Sequence, residues 1–359
     1  MFLNNKEALK KVLVLIPSLD PDEMLGKYVS GLLESGFDKI VIVNDGSKED
    51  TLAFFPVAKN VSIIKHAVNQ GKGRALKTGF HYVLNTYSMS EIVGVVTADA
   101  DGQHSVEDTV KVALKLAEEG SFVLGTRNFN EEHVPFKSRN GNKITTNIFQ
   151  LLFGKRIHDT QTGLRGIPYH YLEKCLKLSG ERFEYEINML IDVVRSKLPI
   201  EEILIKTIYF DSNRATHFSA VKDSIKIYSV ILGEFIKFSV SGLLSSIIDI
   251  GVFAFVTKLL FKNLNVIGIV FAGTMIARVI SSIFNFLMNR QVFQSKGIIG
   301  KSMLRYYILC VLQLILSWVL VVLVFNKIQW DTTVIKIIID TCLFFVSYQI
   351  QRRWVFKED

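Results

Sequence analysis

Cysteine is scarce in this chain of 359 residues: Cys175, Cys310 and Cys342 are the whole set. Three is an odd number and their spacing suits no metal site, so a disulfide scaffold and a zinc module are both excluded, and a reducing compartment is expected. An apolar leader is also missing. Met1–Lys11 is polar and charged, with no apolar run before Val12, so the segment that follows is expected to stay in the cytosol. The phosphate-binding spacings of nucleotide enzymes are absent too. Asn69-Gln70-Gly71-Lys72-Gly73-Arg74-Ala75 fits neither GxxxxGK[ST] nor GxGxxG. Its glycines and the helix it opens still suit a close approach to an anion.

Long apolar runs, by contrast, dominate the last third. Stretches at about 239–260, 266–288, 307–326 and 333–351 are apolar nearly all round. Each has roughly 20 residues, enough to cross a ~30 Å hydrocarbon core, and none shows the polar face of a soluble bundle helix. The net charge of +8 could indicate nucleic acid, but its placement indicates a membrane and no nucleic acid. Lys222, Lys226 and Lys237 precede the first crossing. Arg290, Lys296, Lys301 and Arg305 lie between the second and third, and Arg352, Arg353 and Lys357 follow the fourth. All three segments fall on one side of a four-crossing topology, which the positive-inside rule makes cytoplasmic.

The first 230 residues read as alternating strands and helices, hence an α/β domain with a mostly parallel sheet. Strands are expected at Val12–Ile16, Lys39–Val43, Val61–Lys65, Ile92–Thr97 and Ser121–Gly125, with helices at Asp22–Ser35 and Gly73–Tyr87. Ligands of such sheets bind beyond the carboxyl ends of the strands, where Asp45, Asp99 and Asp101 stand. Asp99 and Asp101, two residues apart after a buried strand, suit a hard divalent cation, Mg²⁺ or Mn²⁺, that shares its ligands with substrate phosphates. An Asp-Gly turn with a helix cap is the plainer explanation of the same residues.

IPSLDPDE (16–23), VNDGS (43–47), NQGKGRA (69–75), DADGQH (99–104), GTRNF (125–129) and DTQTGLRG (159–166) occur in this order. Together they resemble family-2 glycosyltransferases of the GT-A fold, in particular the polyprenyl-phosphate group typified by dolichol-phosphate mannose synthase. The resemblance implies inverting transfer from a nucleotide-sugar, UDP- or GDP-linked, to a polyprenyl phosphate at the membrane bilayer. It implies donor contacts from Pro17, Asp45, Lys72, Asp99, Arg214 and His217. It implies metal ligands at Asp101 and Gln103 with Asp99 beside them, and an acceptor-phosphate site of Arg127, Arg139 and Asn142. Asp101, Arg127 and Arg139 would carry the reaction. Asn142 stands where the family usually has Ser, and His217 where it often has Lys.

Hydroxyl-directed relatives carry a Glu-Asp pair as base, whereas Phe183-Glu184-Tyr185-Glu186 has none. The processive synthases' QxxRW is missing as well, since Ile350 occupies the Gln position before Arg353-Trp354. A processive synthase and a lipid-linked sugar transporter with an accessory soluble domain are the competing readings. The expected layout is a catalytic domain at 1–216, an interfacial amphipathic helix at 217–232 and a four-helix membrane domain at 233–359, in a chain that could form a homo-oligomer. The last part resembles the GtrA-like family, with Asn285–Phe293 and Ser347–Phe356 as two copies of one pattern. Asp249, Arg278 and Asp340 fall near the centres of three crossings. A structural ion pair, or a site for the lipid phosphate or for a translocation step, is expected there.

Overall fold

The computed structural model describes residues 2–131, 134–206, 208, 222–260 and 266–357. The elements run α1 (Phe2–Lys10), β1 (Val12–Ser18), α2 (Glu23–Ser35), β2 (Ile40–Asn44), β3 (Val61–Lys65), α3 (Lys72–Thr86), β4 (Gly94–Thr97), α4 (Val106–Glu119), β5 (Phe122–Arg127) and α5 (Phe136–Phe153). Then come β6 (Arg165–Pro168), α6 (Tyr169–Lys177), α7 (Glu184–Arg195) and β7 (Ile200–Ile205). Four long helices complete the chain: α8 (Lys222–Phe255), α9 (Val266–Val292), α10 (Ile299–Ile328) and α11 (Thr332–Ile350). Two compact units divide at Ile231/Leu232.

In the first unit seven strands form one sheet in the order β3-β2-β1-β4-β6-β5-β7. Every pairing is parallel except those of β6, which runs antiparallel to both β4 and β5. β1 is buried along its whole length because both faces are covered by helices. Val12, Val14 and Ile16 point to one face and pack with Leu25, Val29 and Leu32 of α2 and Val112, Ala113 and Leu116 of α4. On the other face Leu15 lies so near α3 that a Cβ on Gly79 would stand 2.2 Å from it. Period-two alternation thus builds two apolar layers from one strand. α2 starts at Asp22, whose side chain accepts from Met24 N, and stops at Gly36 in the left-handed conformation. The expected strands and helices fall where the sequence puts them to within three residues. α1, α5, α6, α7, β7 and the antiparallel β6 are additions; β6 arises in the stretch that also supplies DTQTGLRG.

In the second unit α8, α9, α10 and α11 are each long and apolar enough to cross a membrane. The expected interfacial helix at 217–232 is described only from Lys222. From Lys222 onward the backbone is a single helix to Phe255, because no proline interrupts it and helix propagation costs less than a new start. The two copies of the repeated pattern meet face to face. Asn289 Nδ2 donates to Gln351 Oε1 at 3.0 Å, and the Phe293 and Phe356 rings lie 5.5 Å apart at 24°. The second copy is one residue longer, and the chain absorbs it as a π-helical turn over Gln351–Val355.

Two of the three intramembrane charges form the expected ion pair. Arg278 Nε stands 3.7 Å from Asp249 Oδ1, which also accepts from Ser281 Oγ at 3.0 Å. Asp340 instead takes Lys336, one turn earlier on its own helix, at 2.7 Å, and the Ser317 hydroxyl. A local i,i+4 partner removes the need for Arg278.

Candidate active site

β2, β1 and β4 are neighbours, so the segments leaving their carboxyl ends share one edge of the sheet. Pro17 is buried within β1, opposite Val43 of β2. Asp45 follows β2 and is 3% exposed. Its Oδ1 accepts from Gln70 N at 2.9 Å and lies 2.7 Å from His66 Nδ1, while Oδ2 accepts from Gly71 N at 2.8 Å. His66 Nε2 is in turn 3.0 Å from Thr78 Oγ1. Both carboxylate oxygens therefore hold the loop that opens α3. His66 completes this clasp; only its place at the end of β3 pointed to it in the sequence.

That loop turns at Gly71 with φ +102°, and a Cβ there would stand 2.4 Å from Glu181 O. The close approach sets Lys72, the first residue of α3, against the first turn of α7. Lys72 Nζ lies 2.7 Å from Asp99 Oδ1 and 2.9 Å from Glu186 Oε2, with the Phe183 ring centroid 5.8 Å away. Burial disfavours the ammonium, but the Asp99 and then the Glu186 carboxylate outweigh it and push the Lys72 pKa up. Burial acts against the Asp99 carboxylate too, yet Lys72 and then His104 hold it well below the usual range. A Cβ on Gly163 would come within 2.3 Å of Asp99 Oδ2, so the β6 approach leaves that carboxylate no freedom.

Asp101 behaves differently from Asp99. Its Oδ1 accepts from Gln103 N at 3.0 Å, and no cationic side chain lies within ion-pair distance among the described residues. Desolvation, and then the Asp99 charge, push its carboxyl above the usual range. Among the described residues no group of three or more His, Cys, Asp or Glu is arranged to hold a metal. A destabilised carboxylate beside the Gln103 amide is nevertheless an oxygen donor set that suits a hard cation drawing its other ligands from substrate phosphates. Asp99, paired with Lys72, lies near enough for its charge to act on Asp101.

The expected acceptor residues gather around a second loop. Arg127 ends β5 and grips Asp159, which is fully buried, with Nε on Oδ2 at 2.7 Å and Nη2 on Oδ1 at 3.1 Å. Its guanidinium also lies 5.1 Å from the centroid of the Phe129 ring. Arg139, on the first turn of α5, donates Nε to Phe129 O at 3.0 Å and Nη2 to Glu131 O at 2.8 Å. Asn142, one turn on, donates to His158 O at 2.7 Å. The two arginines thus flank Phe129, and Asn142 ties α5 to the loop bearing Asp159. Arg214 and His217 lie outside the described residues.

Sequence reasoning missed three contributors besides His66. Asp159 and Arg165 both belong to DTQTGLRG, but nothing in the spacing told which of its residues turn inward. Arg165 is 1% exposed and donates to Thr162 O at 2.8 Å and to Glu186 O at 2.6 Å. Glu186 has no acidic neighbour in sequence, so no local signal marks it.

Residues 13–176 match the glycosyl transferase family 2 model. A UDP-N-acetylglucosamine–dolichyl-phosphate N-acetylglucosaminyltransferase of Methanococcus voltae is 31% identical over 229 residues, covering 58% of this chain and 90% of the relative. The chain belongs to glycosyl transferase family 2. An uncharacterized protein of Methanocaldococcus jannaschii is likewise 31% identical, over 216 residues, covering 58% of this chain and 86% of the other. A dolichyl-phosphate beta-glucosyltransferase of Saccharomyces cerevisiae is 29% identical over 215 residues, covering 53% of this chain and 61% of the relative. Among solved structures, glucosyl-3-phosphoglycerate synthase of Mycobacterium tuberculosis aligns with a TM-score of 0.49 at 15% identity, covering 65% of this chain and 82% of that one. The remainder of this family-2 chain is of a different kind. Residues 237–356 match the GtrA/DPMS transmembrane domain, and with four membrane-length helices the protein is a multi-pass membrane protein.

Proposed function

We propose that this family-2 enzyme transfers a sugar from a nucleotide-sugar to polyprenyl phosphate, inverting the anomeric carbon. The observation that carries the reading is the meeting of Arg127 and Arg139 around Phe129, at the sheet edge that also bears Asp99 and Asp101. Guanidinium groups suit a phosphate by charge and N–H donors, and in this chain they accompany a GtrA/DPMS membrane domain. The named relatives from Methanococcus voltae and Saccharomyces cerevisiae are both dolichyl-phosphate transferases. α5, which bears Arg139, exposes Phe136, Ile144 and Leu151 on one side, a surface suited to a lipid-borne acceptor.

A phosphate monoester has its second pKa near ~6, so the acceptor is a nucleophile at neutral pH without a strong base. Its oxygen forms the new bond to the anomeric carbon while the bond to the nucleoside diphosphate breaks. Arg127 and Arg139 orient the attacking phosphate, and Asp159 fixes the Arg127 fork. On the donor side Asp45 and Gly71 set the α3 loop, which presents backbone N–H groups and Lys72. Arg214 and His217 are assigned to the donor diphosphate by resemblance. Asp101 and Gln103 would hold a divalent cation, Mg²⁺ or Mn²⁺, which neutralises charge on the leaving diphosphate. The loop and C-terminal cations support a cytoplasmic side for the catalytic domain.

The test is a panel of nucleotide-sugars given to the purified full chain with and without polyprenyl phosphate. Release of nucleoside diphosphate from at least one donor, dependent on the lipid, is expected. Equal release without lipid, or none from any donor, overturns the reading.

A further inference from the structure

Glu186 stands in the first turn of α7 and is 6% exposed, with its carboxylate facing Lys72. Oε2 has the Lys72 ammonium at 2.9 Å, but Oε1 is fully buried and has no hydrogen-bond partner among the described residues. A buried charged acceptor left unmatched is destabilising, so such an atom calls for an explanation. Packing alone does not supply one. Arg165, the buried cation nearby, donates to the Glu186 backbone carbonyl rather than to its side chain. That bond fixes the start of α7 and leaves the carboxylate to Lys72, which also pairs with Asp99.

The surroundings select the chemistry of the missing partner. A cation is disfavoured, because the Lys72 ammonium already lies against the other oxygen. A phosphate is disfavoured, because two carboxylates share that single ammonium. A neutral hydrogen donor, O–H or N–H, is what remains. Asp99, bridged to Glu186 through Lys72, is two residues from Asp101, so the open valence lies next to the donor-diphosphate side of the cleft.

We propose that Glu186 determines donor specificity, its Oε1 accepting a hydrogen bond from one hydroxyl or amide N–H of the sugar while Lys72 fixes the carboxylate in place. The assignment rests on the transfer reading above. It explains why α3 and α7 pack so tightly at Gly71 and Gly73, where a Cβ would meet Glu181 O at 2.4 Å and Tyr185 Cβ at 2.5 Å. That packing sets Lys72 and Glu186 within bonding distance. It also accounts for an acid in a site whose nucleophile needs no base.

The experiment uses the full chain in detergent with the nucleotide-sugar it accepts, a set of that donor's analogues lacking one sugar polar group each, and a 2′-deoxyribose analogue. In the wild type, loss of one particular sugar group should lower kcat/KM by about 10- to 150-fold, the range of a hydrogen bond to a charged group. Glu186→Gln should lose activity on the intact donor and discriminate at that position by less than about threefold, while its affinity for free nucleoside diphosphate stays unchanged. If Glu186→Gln is not recovered folded, Glu186→Asp is read in the same way. A wild type that accepts every sugar analogue equally overturns the proposal. So does a folded Glu186 variant that keeps the full discrimination, or one that loses it only at the ribose. A wild type that transfers nothing in the presence of lipid overturns the transfer reading instead, and is seen before any variant is made.

Discussion

Arg127 and Asp159 meet edge to edge, two parallel hydrogen bonds of 2.7 and 3.1 Å joining the end of β5 to the loop before β6. Asp159 has no exposed surface, so this fork supplies the cation beside a buried carboxylate. Arg127→Ala should therefore have two effects. Use of lipid phosphate should fall by about 10- to 150-fold in kcat/KM, and stability should fall by on the order of 3 kcal/mol because a buried carboxylate is left alone. Arg127→Lys should recover little of either, since a point charge cannot match the two bonds. Arg139→Ala should show the acceptor defect with a much smaller stability loss, its bonds being to the carbonyls of Phe129 and Glu131. Titration calorimetry with nucleoside diphosphate should find both variants near wild type. An equal loss of nucleotide affinity in both would move the arginines to the donor side.

Asp101 and Asp99 respond oppositely to acid. Asp101 has a raised pKa, so its charged form is held less well in the folded than in the unfolded chain. The penalty is present above the folded pKa and is relieved as pH falls through it. Asp99 has a depressed pKa, so its contribution is present above the unfolded value and is lost only as pH falls through the folded one. Asp101→Asn should then raise the melting temperature of the ligand-free protein at pH 7, with the gain shrinking toward acid pH, while transfer is abolished. Chelator should abolish transfer in the wild type. Full activity in excess chelator would remove the cation from the account.

How far the sequence disclosed all this follows from which contacts are local. β1, β2 and β4 are continuous apolar runs ended by turn residues, so the sheet edge and the acids on it could be read directly. The four membrane helices follow from length and apolarity alone. What stayed hidden is long-range. Lys72 meets Glu186 across more than a hundred residues, and Arg127 meets Asp159 across 32. Neither pairing has a period or spacing to betray it. The partner of Asp340 was missed for another reason: Lys336 lies inside an apolar run and was read as part of it.

Gly163 and Asp99 offer a test that touches no charge. A methyl group at Gly163 would come within 2.3 Å of Asp99 Oδ2, and the neighbouring Thr97 hydroxyl donates to Gly163 O at 2.9 Å, pinning that backbone. The carboxylate must give way, and with it the Lys72 bridge. Gly163→Ala should lower kcat/KM for the nucleotide-sugar by at least about tenfold, the effect of disturbing one charge-assisted contact, while KM for the lipid changes little. Full retention of donor kinetics would show that the Lys72–Asp99 contact is dispensable.

Asp249 and Arg278 give the last prediction. They bring α8 and α9 together at 3.7 Å, with Ser281 Oγ as a further donor to the acid. An unpaired charge at mid-membrane costs about 2.5–3.5 kcal/mol on insertion scales, so each partner reduces the cost of the other. Asp249→Ala and Arg278→Ala should each lower the melting temperature in detergent. The double variant should be less damaged than the sum of the singles, the mark of a direct coupling. Asp340→Ala should be additive with both, because its partners are Lys336 and Ser317. Transfer to a short, soluble polyprenyl phosphate should persist in every variant, since the chemistry is assigned to the other unit. Collapse of transfer at unchanged thermal stability would instead make the Asp249–Arg278 pair part of the lipid's binding site.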